Sequence, residues 1–207
     1  MAVPDGNIAL KLTWIESTNG PFASPCSPQG RELNIIDNPR VWCSHGDCPC
    51  YEIYHQHNNA GDYWQYHNKS DFDDWPCYEA MVFRRWQFGT GIYHNGSNVD
   101  QSIPIKHWRP GKFAFLTSRQ PGKPEAERRI IGCFDMDRMT TDPHWGNVLH
   151  AGSVKLKAAN FSNAPPYWRY HRQPSGPRWN TGLFRYISDA EARQMFVAVK
   201  AGAAPER

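Results

Sequence analysis

The sequence lacks any apolar run near the roughly 18 residues that a membrane-crossing helix needs, which excludes a protein held in a bilayer by helices. It also lacks long uninterrupted stretches. Seventeen Pro and sixteen Gly are scattered along 207 residues, too often for long helices. Residues 1–11 hold neither the charged leading segment nor the apolar core of a secretory signal, so the expected location is cytoplasmic. The signatures of several enzyme classes are missing as well. There is no H-E-x-x-H, and Ser17, Ser118 and Ser153 do not sit in a G-x-S-x-G elbow. Gly89-Thr90-Gly91 lacks the further glycine and helix of a phosphate-cradling loop and reads as a turn. No paired C-x-x-C framework and no internal repeat is visible.

What is present describes one globular domain. Hydrophobic residues make up 40% and charged residues 21%, enough to bury a core at this length. The aromatic share is 14%, with nine Trp. Residues 1–200 are read as a single domain, with 21–77 as an irregular, Cys-containing insertion and 201–207 (Ala-Gly-Ala-Ala-Pro-Glu-Arg) as a tail or the start of a linker. The fold class expected is α+β and β-rich, with one or two helices.

The net charge of +3 conceals a strong division. Residues 1–103 carry a net −6 and residues 104–207 a net +9. No acidic residue lies between Asp142 and Asp189, a span that contains Lys155, Lys157, Arg169, Arg172, Arg178 and Arg185. Phe161, Tyr167, Trp168, Tyr170, Trp179, Phe184 and Tyr186 are interleaved with them. Cationic side chains neutralise phosphates and aromatic faces stack on bases, so this composition suits a nucleic-acid surface. The plainer alternative is a solvated basic face with its aromatics in the core.

Local patterns place the elements. Ile8–Ser17 reads as an opening strand closed by the turn Thr18-Asn19-Gly20-Pro21, and Tyr78–Phe88 as a strand ending at Gly89. Lys112–Thr117 and Arg129–Met136 read as an antiparallel pair around the Pro-Gly-Lys-Pro loop, with shorter strands at Val154–Leu156 and Gly182–Ile187. The clearest helix is Ser188–Lys200. Ser188 and Glu191 have the spacing of a capping box, and Ala192, Phe196 and Val199 share a face.

The stretch Ile105–Met136 resembles the central hairpin of the PUA-like superfamily, which includes the EVE, ASCH, YTH and SRA domains. The resemblance is carried by Trp108-Arg109-Pro110-Gly111, by Phe113-Ala114-Phe115-Leu116-Thr117-Ser118 and by Ile130-Ile131-Gly132-Cys133-Phe134. The opening strand, Leu12–Asn19, is similar to the first strand of EVE and YTH domains. This resemblance implies a partly open β-barrel with flanking helices and a pocket that receives a flipped, often modified, base. The insertion at 21–74 is longer than a minimal EVE domain requires. The Pro165-Pro166-Tyr167 corner beside Arg169 is also similar to the Tyr/Pro surface with which the sulfur-binding domains of some restriction enzymes meet phosphorothioate.

Four thiols form the sharpest local cluster: Cys26, Cys43, Cys48 and Cys50, the last three within Cys43-Ser-His-Gly-Asp-Cys-Pro-Cys50. A tetrahedral zinc ion takes four such ligands, with His45 and Cys77 as competitors. Free buried thiols and a redox pair are the alternatives. Cys133, inside an apolar strand, is expected in the core. A base-reading pocket needs an aromatic wall, polar groups for the base edge and cations for the flanking phosphates. Trp14, Ser17, Thr18 and Asn19 end one strand, and Thr117, Ser118 and Arg119 end another; both sets are expected at one rim. Tyr167, Trp168, Tyr170 and Trp179 are candidates for the wall, and Arg169, Arg172, Arg178 and Arg185 for the phosphate clamp. The function expected is a DNA-binding reader of a modified base, the recognition module of a modification-dependent restriction system, with a fused or associated nuclease as partner and no catalytic residue of its own. RNA binding is one alternative. A metal-dependent hydrolase using His55, His57 and the nearby Asp71, Asp73 and Asp74, with His67, is the other.

Overall fold

The computed structural model describes residues 4–12, 14, 55–56, 78–93, 96–120, 122–143, 145–179 and 182–203. Six strands form one mixed sheet: β1 Asn7–Lys11, β2 Gln87–Gly89, β3 Phe113–Ser118, β4 Arg129–Asp142, β5 Gly146–Lys157 and β6 Phe184–Ile187. Their order is β2-β5-β4-β3-β1-β6. All neighbours are antiparallel except β1 and β3, which run parallel. The protein is therefore strand-rich α+β, and among the described residues the sheet does not close, with β2 and β6 at its ends. Among the described residues, two α-helices of a full turn or more flank it, α1 Tyr78–Arg85 and α2 Asp189–Ala201. No helix among the described residues is long and apolar enough to cross a membrane.

The two faces of the sheet carry two cores. Ile8, Leu10, Ala114, Leu116, Ile131, Phe134 and Met136 pack on one face with Val82 and Phe83 of α1. Ala9, Phe115, Ile130 and Cys133 pack on the other with Ala192, Met195 and Val199 of α2. The strict alternation of β1 and β3 follows from the two-residue period of a strand. In β4 a shift in register opposite Leu116/Thr117 adds one residue, which is how Ile131 and Cys133, two residues apart, come to face opposite cores. Each fully buried Ile, Leu, Val, Phe or Met among them contributes about 1.5–3 kcal/mol.

The segment expected as a strand over Tyr78–Phe88 is instead α1 followed by the short β2. Val82 and Phe83 are adjacent and both buried, and Arg84 and Arg85 are both exposed, a pairing that a helix allows and a two-residue period forbids. The arginines also lie at the helix C-terminus, where cations are favourable. The opening strand expected over Ile8–Ser17 is the shorter β1, Asn7–Lys11, with Leu12 and Trp14 beyond its end and residues 13 and 15–17 outside the described residues. The other strands include the expected segments, but β4 and β5 run on to 14 and 12 residues as a long hairpin. The expected capping box closes α2: Ser188 Oγ accepts from the Glu191 N–H, and the Ser188 N–H donates to the Glu191 carboxylate at 2.8 Å.

Candidate nucleic-acid interface

The parallel pairing of β1 with β3 has a direct consequence for the rim, because parallel strands end on the same side of a sheet. The Leu12 N–H continues the ladder onto the Thr117 carbonyl at 2.8 Å, and Thr117 Oγ1 donates to the Leu10 carbonyl at 2.8 Å. Trp14 is buried and meets Phe161 edge-on at 4.6 Å. Thr117 and Ser118 are buried as well. Ser17, Thr18 and Asn19 lie outside the described residues.

Beyond the rim, the loop between β3 and β4 folds back through a 3-10 turn at Glu125–Glu127. Its Glu125 carboxylate pairs with Arg119 at 3.5 Å and with Arg128 through Nε and, at 3.1 Å, through Nη2. Arg128 is only 2% exposed, and its guanidinium lies 4.7 Å over the Trp179 ring. The Pro165-Pro166 corner docks on the start of β4: the Ile130 N–H donates to the Pro165 carbonyl, and the Tyr167 N–H to the Arg128 carbonyl. A second 3-10 turn, Tyr167–Arg169, follows at once.

That turn assembles the aromatic cluster. Tyr167 sits 4.9 Å from Trp168 and 5.3 Å from Trp179, and Trp168 Nε1 donates to the Glu125 carbonyl at 2.6 Å. Tyr167 and Trp179 are buried in the second core, with Trp168 and Tyr170 packed against it. Arg185 reaches into the cluster from β6, donating to the Trp179 carbonyl and lying 5.6 Å over its ring. The structure thus brings Tyr167, Trp168, Trp179 and Arg185 together, and adds Arg128. Burial holds the Tyr167 phenol well above its ordinary range despite the opposing charges of Arg185 and Arg128.

The exposed part of the arginine set faces another way. Arg169, Tyr170 and Arg172 line one side of an open groove of about 690 Å³, and α2 lines the other with Arg193, Gln194, Val197, Ala198 and Ala201. None of the three arginines forms an ion pair among the described residues, and no acidic side chain lines the groove. His171 Nδ1 meets Glu191 Oε1 at 3.0 Å, tying the loop wall to the helix wall. Burial works against the Glu191 charge, but hydrogen bonds from Ser188 and His171 outweigh it and hold the carboxyl below its usual range. Arg178 is exposed on the loop after the groove wall.

Arg128, Arg193 and Val197 were not among the sequence-derived candidates. Arg193 and Val197 had a legible signal, since they lie four residues apart on the side of α2 away from its buried Ala192, Met195 and Val199. Cys133 is buried as expected, its thiol pushed up to about 12 by burial first and the Asp135 charge second. Cys26, Cys43, Cys48 and Cys50, with His45 and Cys77, lie outside the described residues. So do His57, His67, Asp71, Asp73 and Asp74, while His55 is exposed. The chain matches no known family model, and no curated protein and no solved structure is similar to it.

Proposed function

We propose that the protein binds nucleic acid, with DNA as its ligand, and reads a modified base as the recognition module of a modification-dependent restriction system whose nuclease lies in another module. The observation that carries this reading is the groove between the Tyr167 turn and α2. Arg169, Arg172 and Arg193 converge there from two elements, without a carboxylate among the lining residues. A protein that placed these arginines only for solubility would gain nothing by gathering them at one concavity. Phosphates make use of the arrangement, since each neutralised phosphate releases counterions and adds affinity.

The reading of a modified base rests on the resemblance of the opening strand and the central hairpin to PUA-like domains. Two features support it: the parallel β1–β3 pairing sets those stretches side by side, and the aromatic cluster of Tyr167, Trp168 and Trp179 adjoins the same hairpin loop through Glu125. The test is binding of the purified chain to matched unmodified, methylated, hydroxymethylated and phosphorothioate duplexes and to RNA, at one fixed salt concentration. A preference of about tenfold, or 1.4 kcal/mol, for one modified duplex is expected. The R169A/R172A/R193A variant should weaken all duplexes alike and flatten the dependence of log K on log salt by about 2 to 3. Equal affinity for every duplex would remove the modified-base reading, and tighter binding of RNA would assign the surface to RNA.

A further inference from the structure

The groove has a property that phosphate contact alone does not require. Val197, at 63% exposed, is one of two strongly exposed large hydrophobic residues among those described, and it sits between basic side chains rather than apart from them. Ala198 and Ala201 continue the apolar wall along α2, and the half-buried Tyr170 ring lies opposite, beside the Arg169 guanidinium at 5.9 Å. A duplex presents its sugar-phosphate backbone outward and keeps its base faces stacked inside, so its backbone leaves such a wall in contact with water. An unpaired strand presents both kinds of surface: phosphates for arginines, and base faces for an aromatic ring and an apolar wall.

We propose that this groove takes an unpaired stretch of nucleic acid, with phosphates held by Arg169, Arg172 and Arg193 and base faces laid against Tyr170 and the Val197–Ala201 wall. The inference rests on the nucleic-acid reading and narrows it to the strand state of the ligand at this site. Charge complementarity selects a polyanion over an apolar peptide, and the exposed apolar wall selects a single strand over a duplex. An acidic peptide shares the charge but lacks the flat faces that a tyrosine ring stacks upon.

The test is fluorescence anisotropy with a mixed-sequence single strand of about 12 nucleotides, its own duplex, the RNA strand and a poly-glutamate peptide, all at the same salt. The single strands should bind about tenfold or more tightly than the duplex, and R169A/R172A should weaken both. V197K separates the two contributions, because it adds a positive charge while removing the apolar surface. If base faces lie on this wall, V197K lowers the ratio of single-strand to duplex affinity several-fold; if only charge matters, both affinities rise together and the proposal fails. Duplex binding as tight as single-strand binding would overturn the proposal and leave the nucleic-acid reading intact. Binding of the poly-glutamate peptide without any oligonucleotide would overturn both and assign the groove to an acidic protein partner.

Discussion

Replacing Glu125 by Gln tests how the hairpin loop is held against the aromatic cluster, and the structure predicts an asymmetric result. Arg128 is 2% exposed and Glu125 is 20% exposed. In E125Q the guanidinium remains buried without a counter-charge. Its other partners are the Thr117 carbonyl at 3.5 Å, the Thr117 hydroxyl at 3.4 Å and the Trp179 face. The two Thr117 contacts are too long to be strong, and the ring returns about 0.5–2 kcal/mol. Breaking a buried pair from one side costs about 3–5 kcal/mol, so a net loss of about 3 kcal/mol is expected. In R128M the stranded group is Glu125 instead, which keeps Arg119 at 3.5 Å and access to water. The methionine also refills part of the space beside Trp179, so R128M should cost about 1–2 kcal/mol. The double variant should then resemble R128M alone, giving a coupling of about 3 kcal/mol. Urea unfolding with an unchanged slope reads all three. Equal costs for the two single variants, or less than about 1 kcal/mol for E125Q, would refute the assignment of Arg128 as a buried, charge-dependent residue.

Gly146→Ala should be among the most damaging single-methyl changes, because φ is +66° and the added Cβ would lie 2.1 Å from the Gly91 carbonyl oxygen, which is backbone. A loss of about 3 kcal/mol or more, read as a lowered Tm, is expected; a neutral result would mean that the Gly91–Gly146 bridge is not formed. Glu191 titrates below its ordinary range in the folded chain, so its contribution is complete above the unfolded value, about 4.3, and is lost as pH falls through the lowered folded value. Denaturant midpoints measured from pH 7 to 3 should therefore fall less steeply in E191Q than in the parent, and parallel profiles would show that the contacts with Ser188 and His171 do not hold the carboxylate. Cys133, with its thiol near 12, should resist alkylation at pH 8 until the chain unfolds, and peptide mapping of labelled sites would reveal any early reaction.

Features written in neighbouring residues were legible before any coordinates. The Ser188–Glu191 capping box and the pairing of the strand at Lys112–Thr117 with Arg129–Met136 both depend on contacts within a turn or a hairpin, which local sequence encodes. The aromatic and arginine content of 143–188, which supplies two of the three groove arginines, was legible for the same reason. Tyr78–Phe88 reads as a strand from sequence because its apolar run is short, and contact with the Gly132 side of the sheet is what favours a helix face there: a Cβ on Gly132 would lie 2.7 Å from the Phe83 ring.

Composition and local pattern therefore determined the strand-rich class, the closing helix and the basic, aromatic C-terminal half. The tertiary structure alone decided how the charges are spent. Arg128 and Arg185 are turned inward onto Trp179, while Arg169 and Arg172 are left facing Arg193 across a groove. It also decided that β1 lies parallel to β3, and that Asn7 donates to Asp189, 182 residues away. The physical reason is common to these cases. An arginine has the same sequence signature whether its guanidinium meets solvent or a buried carboxylate, and which it meets depends on partners supplied by distant parts of the chain.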